Sequence, residues 1–182
     1  MPEILEVKLL GNPILSKKAL NITKITPYIK ELIENMIFTM YETNGVGLAA
    51  PQVGESIKLF VCDAFYSDQH DKNPLVIINP EFIEYDGEDI REEGCLSLPN
   101  VYEKVKRFAW VKMKYYDISL KENIIEADEL FAVVLQHEYD HLNGITLFDK
   151  MNPVRKMSNA FKLKAIKEKG SQMSENVTKY RK

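Results

Sequence analysis

Two cysteines and three histidines are all the thiols and imidazoles that 182 residues provide, and this scarcity narrows the chemistry. Cys62 and Cys95 are too few for a disulfide framework; in a reducing compartment such a pair serves as core, ligand or nucleophile. No apolar run is long enough to span a bilayer, and the opening MPEILEVKLLGNP has no basic stretch leading into an apolar one. That predicts a cytoplasmic protein without a membrane partner. Internal repeats and low-complexity segments are also missing. The residues present, 45% hydrophobic and 28% charged, suffice for one domain with a real core. It is expected over residues 1–170, with a polar tail over 171–182.

Two of the three histidines fall in EADELFAVVLQHEYDHLNG, residues 126–144, as His137 and His141 with Glu138 between them. Residues four apart share a helix face, so both imidazoles can reach one metal ion, with Glu138 one residue round and able to take a proton from water. Asp128 is the expected cap and Asn143 with Gly144 the stop. Leu130, Phe131, Val133, Val134 and Leu135 make the helix apolar on nearly every side, hence buried. The plainer alternative is a pair of satisfied core histidines.

A catalytic metal needs a third protein ligand and an open position. An extended H-E-x-x-H-x-x-G-x-x-H pattern would accept Gly144 but puts Leu147 where its third histidine must stand, which excludes that class. His70, in the polar SDQHDKN, reads as a surface residue. Glu168 stays open as a ligand but lies in a lysine-rich helix that reads as exposed. Cys95, in EEGCLSLP over 92–99, is the better candidate: a thiolate and two imidazoles suit a roughly tetrahedral site with one open position.

Elsewhere, Thr26 and Pro27 open a helix whose stripe is Tyr28, Ile29, Leu32, Ile33, Met36, Ile37 and Met40, ending before Asn44. GVGLAAPQVG, residues 45–54, reads as a loop whose glycines permit close approach. IKLFVCD, LVIINP and AWVKMKYYD read as strands, with Val111, Met113 and Tyr115 alternating, and Cys62 as a core thiol. Pro99 is expected to end any regular element. A last helix is expected from Asn152 and Pro153 to Gly170, with Val154, Met157 and Phe161 inward and lysines crowding its later turns. Residues 150–182 hold ten Lys or Arg against two Asp or Glu, which leaves a net −11 on residues 1–149.

GVGLAAPQ (45–52), EGCLS (93–97) and QHEYDHL (136–142), in that order, resemble the bacterial peptide deformylases, and Pro51, Pro99 and the run INPE at 78–81 are also similar. The resemblance extends from the N-terminus to about residue 165. It implies an α+β fold with small mixed and antiparallel sheets around a central metal-bearing helix, and removal of formate from the N-formylmethionine of nascent chains. It further implies a divalent ion on Cys95, His137 and His141, with Fe2+ in the cell and Ni2+ or Co2+ as active replacements; the donor set also accepts Zn2+. Glu138 would serve as base. The Gln52 side chain and the Leu96 backbone N–H would serve as oxyanion donors. The peptide would lie extended between Val46 and Gly47 on one side and Gly94 on the other. Leu130, Val133 and Val134, with Val46 opposite, would line the methionine pocket, though these are equally ordinary core residues. Some bacterial deformylases use a C-terminal helix to bind the ribosome, and the basic helix here suits such a partner; DNA does not enter the reading.

Glu93 and Arg107 are expected to form an ion pair near the metal loop, since a carboxylate two residues from Cys95 is costly to bury unpaired. Two solvated charges are the alternative. A peptidase on the same helix motif and a metal that only staples the fold remain as rival readings, the latter wanting a fourth ligand that is not evident.

Overall fold

The structure, a computed structural model, describes residues 1–65 and 71–174; His70 and the tail beyond 174 lie outside the described residues. The class is α+β. In chain order come α1 (Pro27–Glu42), β1 (Gly47–Ala49), β2 (Leu59–Cys62), β3 (Leu75–Asp86), β4 (Asp89–Cys95), β5 (Leu98–Arg107), β6 (Trp110–Tyr116) and β7 (Glu122–Asp128). The helices α2 (Glu129–Leu142), α3 (Leu147–Lys150), α4 (Pro153–Ser158) and α5 (Ala160–Gln172) follow. Among the described residues no helix is long and apolar enough to cross a membrane.

A five-stranded antiparallel sheet in the order β1-β2-β3-β6-β7 carries α1 on one face and α2 on the other, and β4-β5 is a separate hairpin. Both faces of β2 are covered, so it is a continuous apolar run, LFVC: Leu59 and Val61 meet α1, while Phe60 and Cys62 meet α2. The Thr26 hydroxyl accepts from the Ile29 N–H at 3.2 Å and caps α1, which buries Ile29, Leu32, Ile33, Met36 and Met40. On α2, Phe131, Val134 and Leu135 pack with Phe60, Val111 and Met113.

Four sequence expectations are corrected. Asp128 does occupy the cap position of α2, but its side chain makes no capping bond; β7 runs up to it, and Glu129, with φ +46°, is the corner between strand and helix. Part of 45–54 is not loop: Gly47–Ala49 is the edge strand β1, and Ala50–Val53 a 3-10 turn. Pro99 does not end regular structure, because it stands early in β5. Residues 99–101 bulge out of the ladder between the pairs Cys95–Leu98 and Gly94–Tyr102, where the missing proline N–H costs nothing. The inward face of β5 includes Glu103 and Arg107 beside Leu98, Val101 and Val105, and those buried charges hid its alternation.

The last correction concerns the C-terminus, where the expected single helix is two, parted at Asn159. Val154, Met157 and Phe161 point outward, 70, 77 and 89% exposed; the inward stripe is Leu163, Ile166 and Gly170, against Leu10, Leu98 and Val101. Phe161 is two residues from Leu163, about 200° round the helix, and so turns away. Gly170 sets this seating. A Cβ there would stand 2.3 Å from the Leu10 carbonyl oxygen, so only glycine lets the helix lie on that backbone. The Asn12 side chain ties down the helix end, donating to the carbonyls of Gly170 at 3.4 Å and Met173 at 3.1 Å. From the same N-terminal segment the Lys8 N–H donates to Gln52 O at 2.7 Å and the Leu10 N–H to Ser97 O at 2.8 Å.

Candidate active site and metal centre

Three parts of the fold meet at one place. Cys95 closes β4, and the turn Leu96–Ser97 returns the chain into β5. α2 brings His137, Glu138 and His141 from beneath, and β1 with its following turn brings Gly47 and Gln52 from the side. The ligand atoms of Cys95, His137 and His141 lie within 4.8 Å of one another, with Cys95 Sγ 3.3 Å from His141 Nε2. It is the one such cluster among the described residues. Glu168 is exposed on α5 beside Lys164 and takes no part.

The surroundings fit a cation. Burial alone would push the Cys95 thiol up, but the neighbouring His141 and His137 overcome it and hold the thiol well below its usual range, ready as an anion. Burial would push His137 down, yet hydrogen bonds with Cys95 and Glu93 and the negative charges of Cys95 and Glu138 raise it well above ordinary histidine. Positive charge is therefore stabilised between these groups, and a divalent ion would supply it. The His137 Nδ1 lies 2.9 Å from Glu93 Oε2, which fixes the ring with Nε2 free for a ligand role. His141 Nδ1 and Glu138 Oε2 are buried without a hydrogen-bond partner.

Glu93 is held in turn by Arg107, whose Nε and Nη2 donate to its two oxygens at 2.8 and 2.9 Å. The pair expected from sequence is present, and more deeply built in than expected, since the Arg107 Nη1 also reaches Asp140 on α2 at 2.5 Å. Burial alone would raise Glu93; the bonds from Arg107 and His137 prevail and bring it down to about 2.

Glu138 is almost fully buried, and burial pushes it up to about 7, against the pull of the two histidines. Gly47 is what admits it: a Cβ on Gly47 would stand 2.5 Å from Glu138 Oε1. The Gln52 Oε1 accepts from the Ala49 N–H at 2.8 Å, which orients the amide so that Nε2 faces Ser97 Oγ at 3.3 Å and Cys95 Sγ at 3.6 Å. A cleft of about 540 Å³ opens over these groups, and Val46, Gly47, Gly94, Leu96, Leu130, Val133 and Val134 all border it with Gln52, Cys95, His137 and Glu138. Leu130, 44% exposed, is cleft wall and not core; Val133 is 5% exposed and Val134 4%, so they serve both. Sequence reasoning missed Ser97, which lay in its second motif, and Asp140, inside the third; neither has a local signal for its partner across the fold.

Comparison with known proteins agrees with this geometry. The profile of the polypeptide deformylase family matches residues 4–157. The peptide deformylase of Thermodesulfovibrio yellowstonii is 47% identical over 153 residues, 84% of this chain and 92% of its own length. Among solved structures, a peptide deformylase from Legionella pneumophila superposes with TM-score 0.84 at 37% identity, covering 94% of this chain and 100% of that one. One from Synechococcus elongatus in complex with actinonin gives TM-score 0.83 at 34% identity, covering 93% of this chain and 92% of that one.

Proposed function

The chain belongs to the polypeptide deformylase family, whose members hydrolyse the formyl group from N-formylmethionine, and from that premise we propose how its residues divide the work. Cys95, His137 and His141 would hold one divalent ion, Fe2+ in the cell, which when bound would polarise the formyl oxygen and acidify water. Glu138 takes the proton from the attacking water as oxygen adds to the formyl carbon. It then delivers that proton to the amine nitrogen as the carbon–nitrogen bond breaks, leaving formate and a free N-terminus. Gln52 Nε2, aimed by its bond from Ala49, and the Leu96 N–H in the turn beside Cys95 donate to the oxygen as it gains charge.

The substrate enters extended. The cleft lies between β1, the edge of the five-stranded sheet, and β4, the outer strand of the hairpin, so a peptide can add to both. Val46 and Gly47 offer one edge and Gly94 the other, with the methionine side chain against Leu130, Val133 and Val134. The observation carrying this reading is the buried, unpartnered Glu138 oxygen beside three converging ligand atoms.

Formate release from a formyl-Met peptide and amine release from the same peptide without the formyl group, each before and after metal removal and reloading, test it. Metal-restored formate release supports the reading; cleavage of the unformylated peptide would replace it with a peptidase.

Basic α4 and α5, with Val154, Met157 and Phe161 exposed among lysines, suit docking on the ribosome where formyl-Met chains emerge.

A further inference from the structure

The apolar walls of the cleft leave one charge without a task. Arg91, on β4, borders the same cleft as Val46, Leu130 and Val133, and no step of hydrolysis employs it. Strand alternation puts Arg91 and Glu93 on one face of β4. Glu93 is sealed beneath Arg107, whereas Arg91, two residues farther from Cys95, is at the mouth with its side chain 39% exposed. Its one described partner is Asp89, whose Oδ2 accepts from Nε at 2.6 Å. The two terminal nitrogens of the fork have no partner among the described residues. Glu92 also borders the cleft, but alternation turns it to the other face of β4, where Lys104 stands opposite in the ladder.

An arginine fork with two open donors matches a carboxylate. Its setting sharpens the point. Residues 1–149 carry 25 Asp or Glu against 14 Lys or Arg, so the body of the protein repels acidic peptides, and Arg91 is the one Lys or Arg among the described residues bordering the cleft. Strands rise about 3.3 Å per residue, so Arg91 stands about 13 Å along β4 from Cys95, and the third residue of an extended peptide about 10 Å from the reacting carbon. The arginine side chain spans the difference.

We propose that Arg91 is a specificity determinant that favours formyl-Met chains with Asp or Glu at the third residue, through an ion pair at the cleft mouth. This rests on the reading that the substrate lies extended along β4. A partly exposed pair of this kind changes binding by about three- to five-fold. The change falls on KM, because the contact is equally present before and during reaction.

The test compares formyl-Met-Ala-Asp-amide, formyl-Met-Ala-Asn-amide and formyl-Met-Ala-Lys-amide on the metal-loaded full chain and on Arg91→Gln and Arg91→Glu. The expected order of kcat/KM is Asp above Asn above Lys for the wild type, level for Arg91→Gln and inverted for Arg91→Glu, with the differences shrinking at high salt. Equal Asp-to-Lys ratios in the wild type and Arg91→Glu overturn the proposal. Calorimetric binding of Met-Ala-Asp-amide and Met-Ala-Lys-amide, which needs no turnover, separates the two readings. An Arg91-dependent preference there without formate release supports Arg91 and overturns the hydrolytic roles; formate release with no charge preference in either assay overturns Arg91 alone.

Discussion

Arg107 grips both oxygens of Glu93, and the same carboxylate holds the Nδ1 side of His137, so a metal-ligand candidate on α2 is aimed by a residue of β5 through a residue of β4. Glu93→Gln keeps the shape and removes the charge. Its expected effect is a 10- to 100-fold loss of metal affinity, by competition with a chelator, because the ring loses the partner that fixes its orientation. Arg107→Met leaves a buried carboxylate unpaired and is expected to cost about 3–5 kcal/mol in denaturant unfolding.

Glu138→Gln is expected to retain bound metal while losing at least 100-fold in kcat, because the proposed mechanism makes its carboxylate the proton carrier and not a ligand. Cys95→Ala is expected to lose the metal. Metal analysis beside the formate assay checks both, and tightly bound metal with full turnover in Cys95→Ala would remove the sulfur from the ligand set.

Gly47→Ala tests the geometry from the opposite wall. The new methyl would meet Glu138 Oε1. Either the carboxylate or the edge of β1 has to shift, and a misplacement near 1 Å costs about 100-fold in rate. Thermal unfolding should change far less than kcat; a variant with wild-type kcat would show that Glu138 has slack the structure does not suggest.

Alkaline stability turns on Tyr28, whose hydroxyl donates to Glu55. Burial, then that bond and the Glu55 charge, raise the phenol above its usual 10. A group bound more tightly to its proton in the folded state contributes stability that is complete below the unfolded value and is lost as pH rises above it. Stability is therefore expected to fall above pH about 10, and Tyr28→Phe, about 1 kcal/mol less stable at neutral pH, to fall less steeply there. Parallel slopes for the two proteins in denaturant titrations at pH 8 to 11 would contradict this.

For ribosome docking, truncation near residue 160 is a poor test in this protein. It removes Leu163 and Ile166 from the core shared with Leu10, Leu98 and Val101, and the hairpin that presents Cys95 would lose its support. Phe161→Ser with Lys164→Gln and Lys169→Glu changes exposed side chains of α5 and leaves the Lys162 Nζ bond to the Asn100 carbonyl oxygen in place. The triple variant is expected to lose salt-sensitive ribosome pelleting and to keep its melting temperature; unchanged pelleting counts against the docking surface.

Local chemistry made much of this legible. Thr26 and Pro27 announced α1, and the i, i+4 spacing of His137 and His141 announced a shared helix face. Cys95 stood out as the better third ligand because so few candidates existed, with Glu168 still open. The hairpin was hidden, because Glu103 and Arg107 occupy positions that alternation reserves for apolar residues, and their partners lie on other elements. Ser97 beside Gln52 and Asp140 beside Arg107 are likewise pairings that exist only after folding. The C-terminal stripe was misread because Phe161 outweighs glycine on any hydrophobic scale, while the helix was positioned by the side chain Gly170 does not have.

That seating sets an order of assembly during synthesis. Asn12 waits for Gly170, 158 residues later, and the strand of chain that holds Gln52 and Ser97 has its outer side open until then. Contacts so distant in sequence form late. An enzyme that meets other chains at their first residue therefore cannot fully seat the segment that holds Gln52 and Ser97 until α5 has left the ribosome.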